Sequence, residues 1–271
     1  MELMDGTRID TFKNSMYRLE HNIPSINIEH ETVHIDGRRG NLITKSMYTE
    51  RIISVRFIYD SYDINDFYLL RDEINALFTR NDAFYIIFKT EPYKKYKVRM
   101  NGSINLPVNM HMDEFIIEFM CDDVCGLSTF PTSKFSKEWD IDMFAWNGEI
   151  TWDEDIAYTF TNTNSFSVIN LGTADIDPRQ DYLKINLNGL FATSVTITNL
   201  TTGDKYVIDT SLSSNENLQI IGTTCKKNGQ SIFKYVRNKK ELITLAKGEN
   251  KFVIEGGSVN SISFDFNFLY L

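Results

Sequence analysis

The chain alternates between two hydrophobic periods, and most of it follows the shorter one. From Ile26 to Ile35, Ile26, Ile28, Val33 and Ile35 are separated by polar residues, and Asp36-Gly37-Arg38-Arg39-Gly40 then breaks the pattern. Asp-Gly is a strong hairpin signal, because glycine enters the positive-φ region at no steric cost. Between Arg51 and Tyr59, Ile53, Val55, Phe57 and Tyr59 share one face of a second strand. The period lengthens over 63–80, where Ile64, Phe67, Leu70, Ile74, Leu77 and Phe78 recur at three- and four-residue steps. That stripe predicts an amphipathic helix laid on a sheet, with Asp63 as N-cap and Arg80-Asn81-Asp82 as its stop. Strands are predicted again at Phe84–Phe88, at the alternating Tyr96, Val98 and Met100, and at Glu114–Met120, with turns at Glu91-Pro92 and Asn101-Gly102.

The pattern loosens from about 126 to 150, which places a boundary between domains 1–130 and 131–271. Beyond it, apolar runs begin near residues 158, 182, 194, 205, 218, 251 and 261. Turn chemistry separates them at Asn188-Gly189, Thr202-Gly203-Asp204, Asn228-Gly229, Gly248-Glu249-Asn250 and Gly256-Gly257. Short strands at this spacing predict an antiparallel sandwich or jelly roll. A helical turn is expected only within 237–246. The fold class expected is mainly β, in the α+β class: a sandwich-like first domain with one inserted helix, then an all-β domain.

With 271 residues the chain is long enough to bury a core without staples. Acidic residues outnumber basic ones 37 to 28, for a net charge of −9. That balance argues against a protein whose task is to grip nucleic-acid phosphates or an anionic membrane. Met1–Met16 lacks the basic and apolar regions of a secretory signal, and no apolar run is long enough to span a bilayer. Three cysteines do not make a disulfide framework and fit folding in a reducing cytosol.

Catalytic templates find little support. There is no G-x-S-x-G elbow, Walker A loop or dinucleotide fingerprint. Gly37-Arg38-Arg39-Gly40 sits in a strand turn rather than opening a helix, so its two arginines read as exposed cations able to meet an acidic neighbour. His30 and His34 share a strand face, but four strand residues span roughly 13 Å, too far for joint ligation. Cys121 and Cys125 with His111 lack the second cysteine pair of a zinc site and read as buried thiols. Asp122-Asp123 and Asp153-Glu154-Asp155 read as loop acids; a hydrolase built on Asp153 or Asp155 would need a second carboxylate facing it across a cleft. Trp139, Trp146 and Trp152 read as packing at the domain junction. The alternative is a carbohydrate-binding module for cell-wall glycan, with Trp146 and Trp152 stacking on sugar rings. No metal or cofactor is expected.

The order of these features resembles the distal tail (Dit) family of long, non-contractile bacteriophage tails. The matching stretches are His34-Ile35-Asp36-Gly37-Arg38-Arg39-Gly40-Asn41-Leu42, like the family's glycine–arginine–glycine hairpin, then the strand at 51–59 and the helix at 63–80. Glu91-Pro92-Tyr93-Lys94-Lys95-Tyr96 is similar to the family's Glu-Pro-Tyr turn. Phe115–Cys121 with Asp122-Asp123 is similar to the end of its first domain, with Asp123-Val124 where the family has Asp-Pro. Ile197-Thr198-Asn199, Thr202-Gly203 and Leu245–Asn250 resemble its galectin-like sandwich.

The resemblance implies a structural virion protein, not an enzyme, located at the phage tail tip and made in the host cytoplasm. It implies a hexameric ring, in one layer or two, that joins the tail tube protein to the tail-associated lysin or tip protein and, in many phages, to receptor-binding proteins. DNA would pass its channel without specific binding, and no membrane is involved. The chain corresponds to the short form, without inserted sugar-binding modules. The expected subunit-interface hairpin is Asp36, Gly37, Arg38, Arg39 and Gly40, helped by the segment 1–25 with Ile9, Phe12, Met16, Tyr17 and Leu19.

Overall fold

The computed structural model describes residues 1–4, 7, 16–108, 112–135 and 156–271. Among the described residues it is mostly antiparallel β-sheet with one α-helix, and it divides into two compact units. The first comprises 1–91, 95–126 and 271; the second, 92–94 and 127–270.

In the first unit the strands are β1 (Glu2–Leu3), β2 (Met16–Asn22), β3 (Ile28–Val33), β4 (Leu42–Tyr48), β5 (Ile52–Asp60), β6 (Phe84–Ile87), β7 (Lys94–Asn101) and β8 (Met112–Cys121). Helix α1 (Ile64–Phe78) lies between β5 and β6 in sequence. The main sheet runs β1-β6-β7-β8-β5-β2, while among the described residues β3 and β4 pair only with each other. The sequence pattern accounts for the core directly. Alternation on β5 buries Ile53, Val55, Phe57 and Tyr59, and β8 buries Phe115, Ile117 and Phe119 opposite them. The helix buries its predicted stripe of Phe67, Leu70, Ile74 and Phe78 on this face. Phe57 and Phe78 lie 6.0 Å apart between ring centroids, and Phe78 and Phe119 lie 5.7 Å apart. Asp63 caps the helix as expected. Its Oδ1 accepts from the amides of Asn65 and Asp66, both at 2.8 Å, an arrangement that stabilises a helix by about 1 kcal/mol.

The second unit holds β9 (Gly126–Ser128, whose first residue falls in the first unit), β10 (Thr159–Thr161), β11 (Ser165–Asn170), β12 (Leu183–Asn199), β13 (Lys205–Ile208), β14 (Leu218–Ile221), β15 (Thr224–Lys227), β16 (Gln230–Ser231), β17 (Gly248–Phe266) and β18 (Leu269–Tyr270). Its sheet runs β10-β17-β12-β14-β15-β16, with β11 added to β17 and β13 to β12. Two long strands, β12 and β17, form its spine.

Here the turn assignments need correction. Asn188-Gly189 and Gly256-Gly257 are not turns: both lie inside the long strands, beside the register shifts of the β12–β17 pair. Glycine in a strand marks a bulge or a close backbone approach as readily as a turn. A Cβ on Gly189 would sit 2.4 Å from the Ser258 carbonyl oxygen. The predicted helical turn in 237–246 is also displaced; the short 3₁₀ turn falls at Phe233–Tyr235. Asn228-Gly229 is a turn, with φ of 48° and 81° as a type I′ hairpin requires.

Candidate functional site

The β3–β4 ribbon departs from the burial pattern of its unit. Every residue of β3 is exposed, and on β4 only Leu42 and Met47 are half-buried. Ile28, Val33, Ile35, Ile43 and Tyr48 are 42–59% exposed. They occupy both faces: the pairs Ile28–Tyr48 and Thr32–Ile43 put apolar groups on one, and Val33–Leu42 and Glu29–Met47 on the other. An isolated two-stranded hairpin is marginally stable in water. A ribbon this apolar on both sides is suited to being covered by another surface.

The expected interface residues are its tip. Gly37 and Gly40 take φ of 83° and 78°, with open space where a Cβ would stand. The Arg38 amide donates to the Ile35 carbonyl at 3.1 Å, closing the turn. His34 Nε2 lies 3.7 Å from Asp36 Oδ1, while Arg38 and Arg39 are exposed.

The root, in contrast, is fixed. Thr49 donates its amide to Asn27 O at 3.0 Å, and Asn27 Nδ2 donates to Thr49 Oγ1 at 2.8 Å. Arg51 follows immediately and is 5% exposed, rare for arginine. Its Nε donates to Pro24 O at 2.8 Å and Nη1 to Val124 O at 3.2 Å, and its guanidinium lies 5.8 Å from the Tyr96 ring centroid. One buried cation thus ties the entry of the ribbon to the core and to the loop after β8. Nothing in the pattern of apolar residues marks Arg51, a charged residue two places before Ile53 and in phase with the buried face of β5. The β4 strand carries no alternation signal in the sequence, because Thr44, Lys45 and Ser46 interrupt its apolar positions.

The other candidates resolve separately. His30 Nδ1 pairs with Ser46 Oγ at 2.7 Å, away from His34. Asp122 and Asp123 are not free loop acids: Arg99 Nε donates to Asp122 Oδ1 at 2.8 Å, and Lys97 Nζ is 3.9 and 3.7 Å from the two carboxylates. Among the described residues no group of three or more His, Cys, Asp or Glu side chains is arranged to hold a metal. Cys121, Cys125 and Cys225 form no disulfide. Trp139, Trp146, Trp152, Asp153, Glu154, Asp155 and His111 lie outside the described residues, as do Ile9 and Phe12.

Burial pushes the Cys121 thiol up to about 11 despite nearby Arg51, and the Cys225 thiol up to about 12, with the Tyr206 hydroxyl pulling the other way. Thiolate is the reactive form. A maleimide at pH 8 is therefore expected to modify Cys125 alone in the native protein and all three cysteines in denaturant, read by mass spectrometry. The same shifts set an alkaline limit. Their stabilising contribution is complete below about pH 9, where thiols are neutral in both states. It is lost as pH rises through 11 and 12, because the unfolded chain gives up its protons first.

The family model of the phage tail protein RIFT-related domain matches residues 5–121, spanning the first unit, its helix and the ribbon. The whole chain has the fold of the Dit protein (gp 19.1) of phage SPP1, described as a paradigm of hub adsorption apparatus in Gram-positive-infecting phages. The two share a TM-score of 0.69 at 18% identity, over 95% of this chain and 96% of that one. A looser likeness joins it to a chain of the phage p2 baseplate in its activated conformation with strontium, at a TM-score of 0.45 and 11% identity over 97% and 94% of the chains. No curated protein matches the chain by sequence. Among the described residues no helix is long and apolar enough to cross a membrane.

Proposed function

We propose that this chain is a non-enzymatic structural subunit of a siphophage tail-tip hub, and that six copies form a ring. The observation that carries the reading is the ribbon: firmly rooted, apolar on both faces, uncovered, and set in a domain of phage tail type. A ring needs a contact between two different surfaces of one chain. A ribbon reaching from one copy onto the next supplies such a contact, with Asp36–Gly40 at its tip. In this reading the N-terminal domain, to about residue 130, builds the ring around the DNA channel. The C-terminal domain is a galectin-like sandwich projecting outward. The ring joins the tail tube protein above to the tail-associated lysin or tip protein below, and carries receptor-binding proteins where the tail has them. Its place is the virion.

Light scattering behind size exclusion tests the ring directly. Six copies of a 31.4 kDa chain give about 188 kDa, and two stacked rings twice that. A species that stays at the mass of one chain at high concentration, alone and with the tail tube protein added, overturns the reading.

A further inference from the structure

The chain is acidic overall, yet one stretch of the second unit has the opposite charge. Between Cys225 and Glu241 stand Lys226, Lys227, Lys234, Arg237, Lys239 and Lys240, against Glu241 alone. The fold gathers these residues. Lys226 on β15 pairs with Ser231 on β16, and the Ile232 amide donates to Cys225 O at 3.0 Å, folding the following 3₁₀ turn back beside β15. Arg179 reaches in from elsewhere in the unit, donating to Lys240 O at 3.3 Å.

The cations divide into two sets. Arg179 bonds Asp177 at 3.0 Å, Arg237 grips both oxygens of Asp209 at 2.6 and 3.2 Å, and Lys227 meets Glu216 at 2.8 Å. Among the described residues, Lys226, Lys234, Lys239 and Lys240 have no carboxylate partner within ion-pair distance; Glu241, beside them, accepts from Asn238. Two of these lysines are held in place by aromatic rings. Lys234 Nζ lies 4.8 Å from the Tyr235 ring centroid and Lys239 Nζ 5.3 Å from that of Phe233. Ordering a flexible ammonium in advance lowers the entropic cost of using it.

We propose that this lysine patch binds a linear polyanion carrying repeated phosphates. The division of labour favours phosphate over carboxylate. The arginine forks, which read carboxylate and phosphate alike bidentately, are engaged by the chain's own aspartates; the available donors are ammonium groups, point charges that a phosphate oxygen can approach from any side without a fixed planar geometry. The patch lies in the second unit, and its ligand is independent of whether the chain forms a ring.

The test is binding of labelled linear polyphosphate to the full chain, followed by fluorescence anisotropy at several salt concentrations. If four lysines each displace a counterion, log K falls against log salt with a slope near −3, about sixtyfold in affinity between 50 and 200 mM. The variant carrying Lys226→Gln, Lys234→Gln, Lys239→Gln and Lys240→Gln is expected to lose at least tenfold in affinity and most of that slope. A control with Lys89→Gln, Lys184→Gln, Lys205→Gln and Lys251→Gln carries the same net charge and is expected to keep both. Polyaspartate of matched charge is expected to bind at least tenfold more weakly. Equal or tighter binding of polyaspartate overturns the proposal in favour of an acidic protein surface. Binding only to phosphatidylglycerol vesicles overturns it in favour of a lipid surface. Equal losses in the two variants, or no binding of polyphosphate by the wild-type chain, also overturn it.

Discussion

Replacing Ile43 and Tyr48 together by glutamate is expected to leave each chain folded and to dismantle the ring. In the single chain both side chains are more than half exposed, so charging them removes little from the folded state. Across a contact that covers the ribbon the cost is of another order. Burying one large apolar side chain is worth about 1.5–3 kcal/mol, and an unpaired buried carboxylate costs further free energy. A loss of about 3 kcal/mol at each subunit contact raises the concentration needed for assembly by roughly a hundredfold. Light scattering is expected to show the mass of one chain where the parent gives a ring, and melting temperatures compared at a dilution where both are single chains are expected to be equal within error. An intact ring in the variant removes the ribbon from the interface. A melting temperature that falls with the ring intact shows that the ribbon packs on its own chain instead.

The parts of this fold most legible in the sequence are those where one local rule decides the outcome. The period-2 run of Ile53, Val55, Phe57 and Tyr59 and the period-3.6 stripe from Ile64 to Phe78 each have one buried face, so the pattern of apolar residues is the pattern of burial. The ribbon is half legible: the alternation from Ile26 to Ile35 and the turn at Asp36-Gly37 signal β3 and its end, but on β4 Thr44, Lys45 and Ser46 interrupt the apolar positions. Arg51 was invisible because its role depends on carbonyls at residues 24 and 124, one of them 73 positions distant in sequence. The lysine patch was legible as composition but not as a site. Only the pairing of Arg179, Arg237 and Lys227 with their own acids separates the engaged cations from the available ones.

The glycines of the second unit show the same division and support the largest stability effect expected here. Gly229 and Gly257 both follow residues that suggest a turn, but they are needed for different reasons. Gly229 holds φ at 81° with open space where a Cβ would go. Alanine there pays only for the backbone conformation, about 1–2 kcal/mol. Gly257 has no positive φ, but a Cβ on it would lie 2.1 Å from the Leu190 carbonyl oxygen and 2.7 Å from the Phe191 ring, where β17 crosses β12. Neither neighbour can yield cheaply. The oxygen belongs to the backbone of the spine pair, and Phe191 is 1% exposed. Gly257→Ala is therefore expected to cost about 3 kcal/mol or more, in the range reserved for overpacked cores. In a unit of this size that lowers the melting temperature by roughly 10 °C. Circular dichroism melts of the two variants decide the matter. If Gly229→Ala proves the more damaging, the close approach of the two long strands is not what glycine serves at 257.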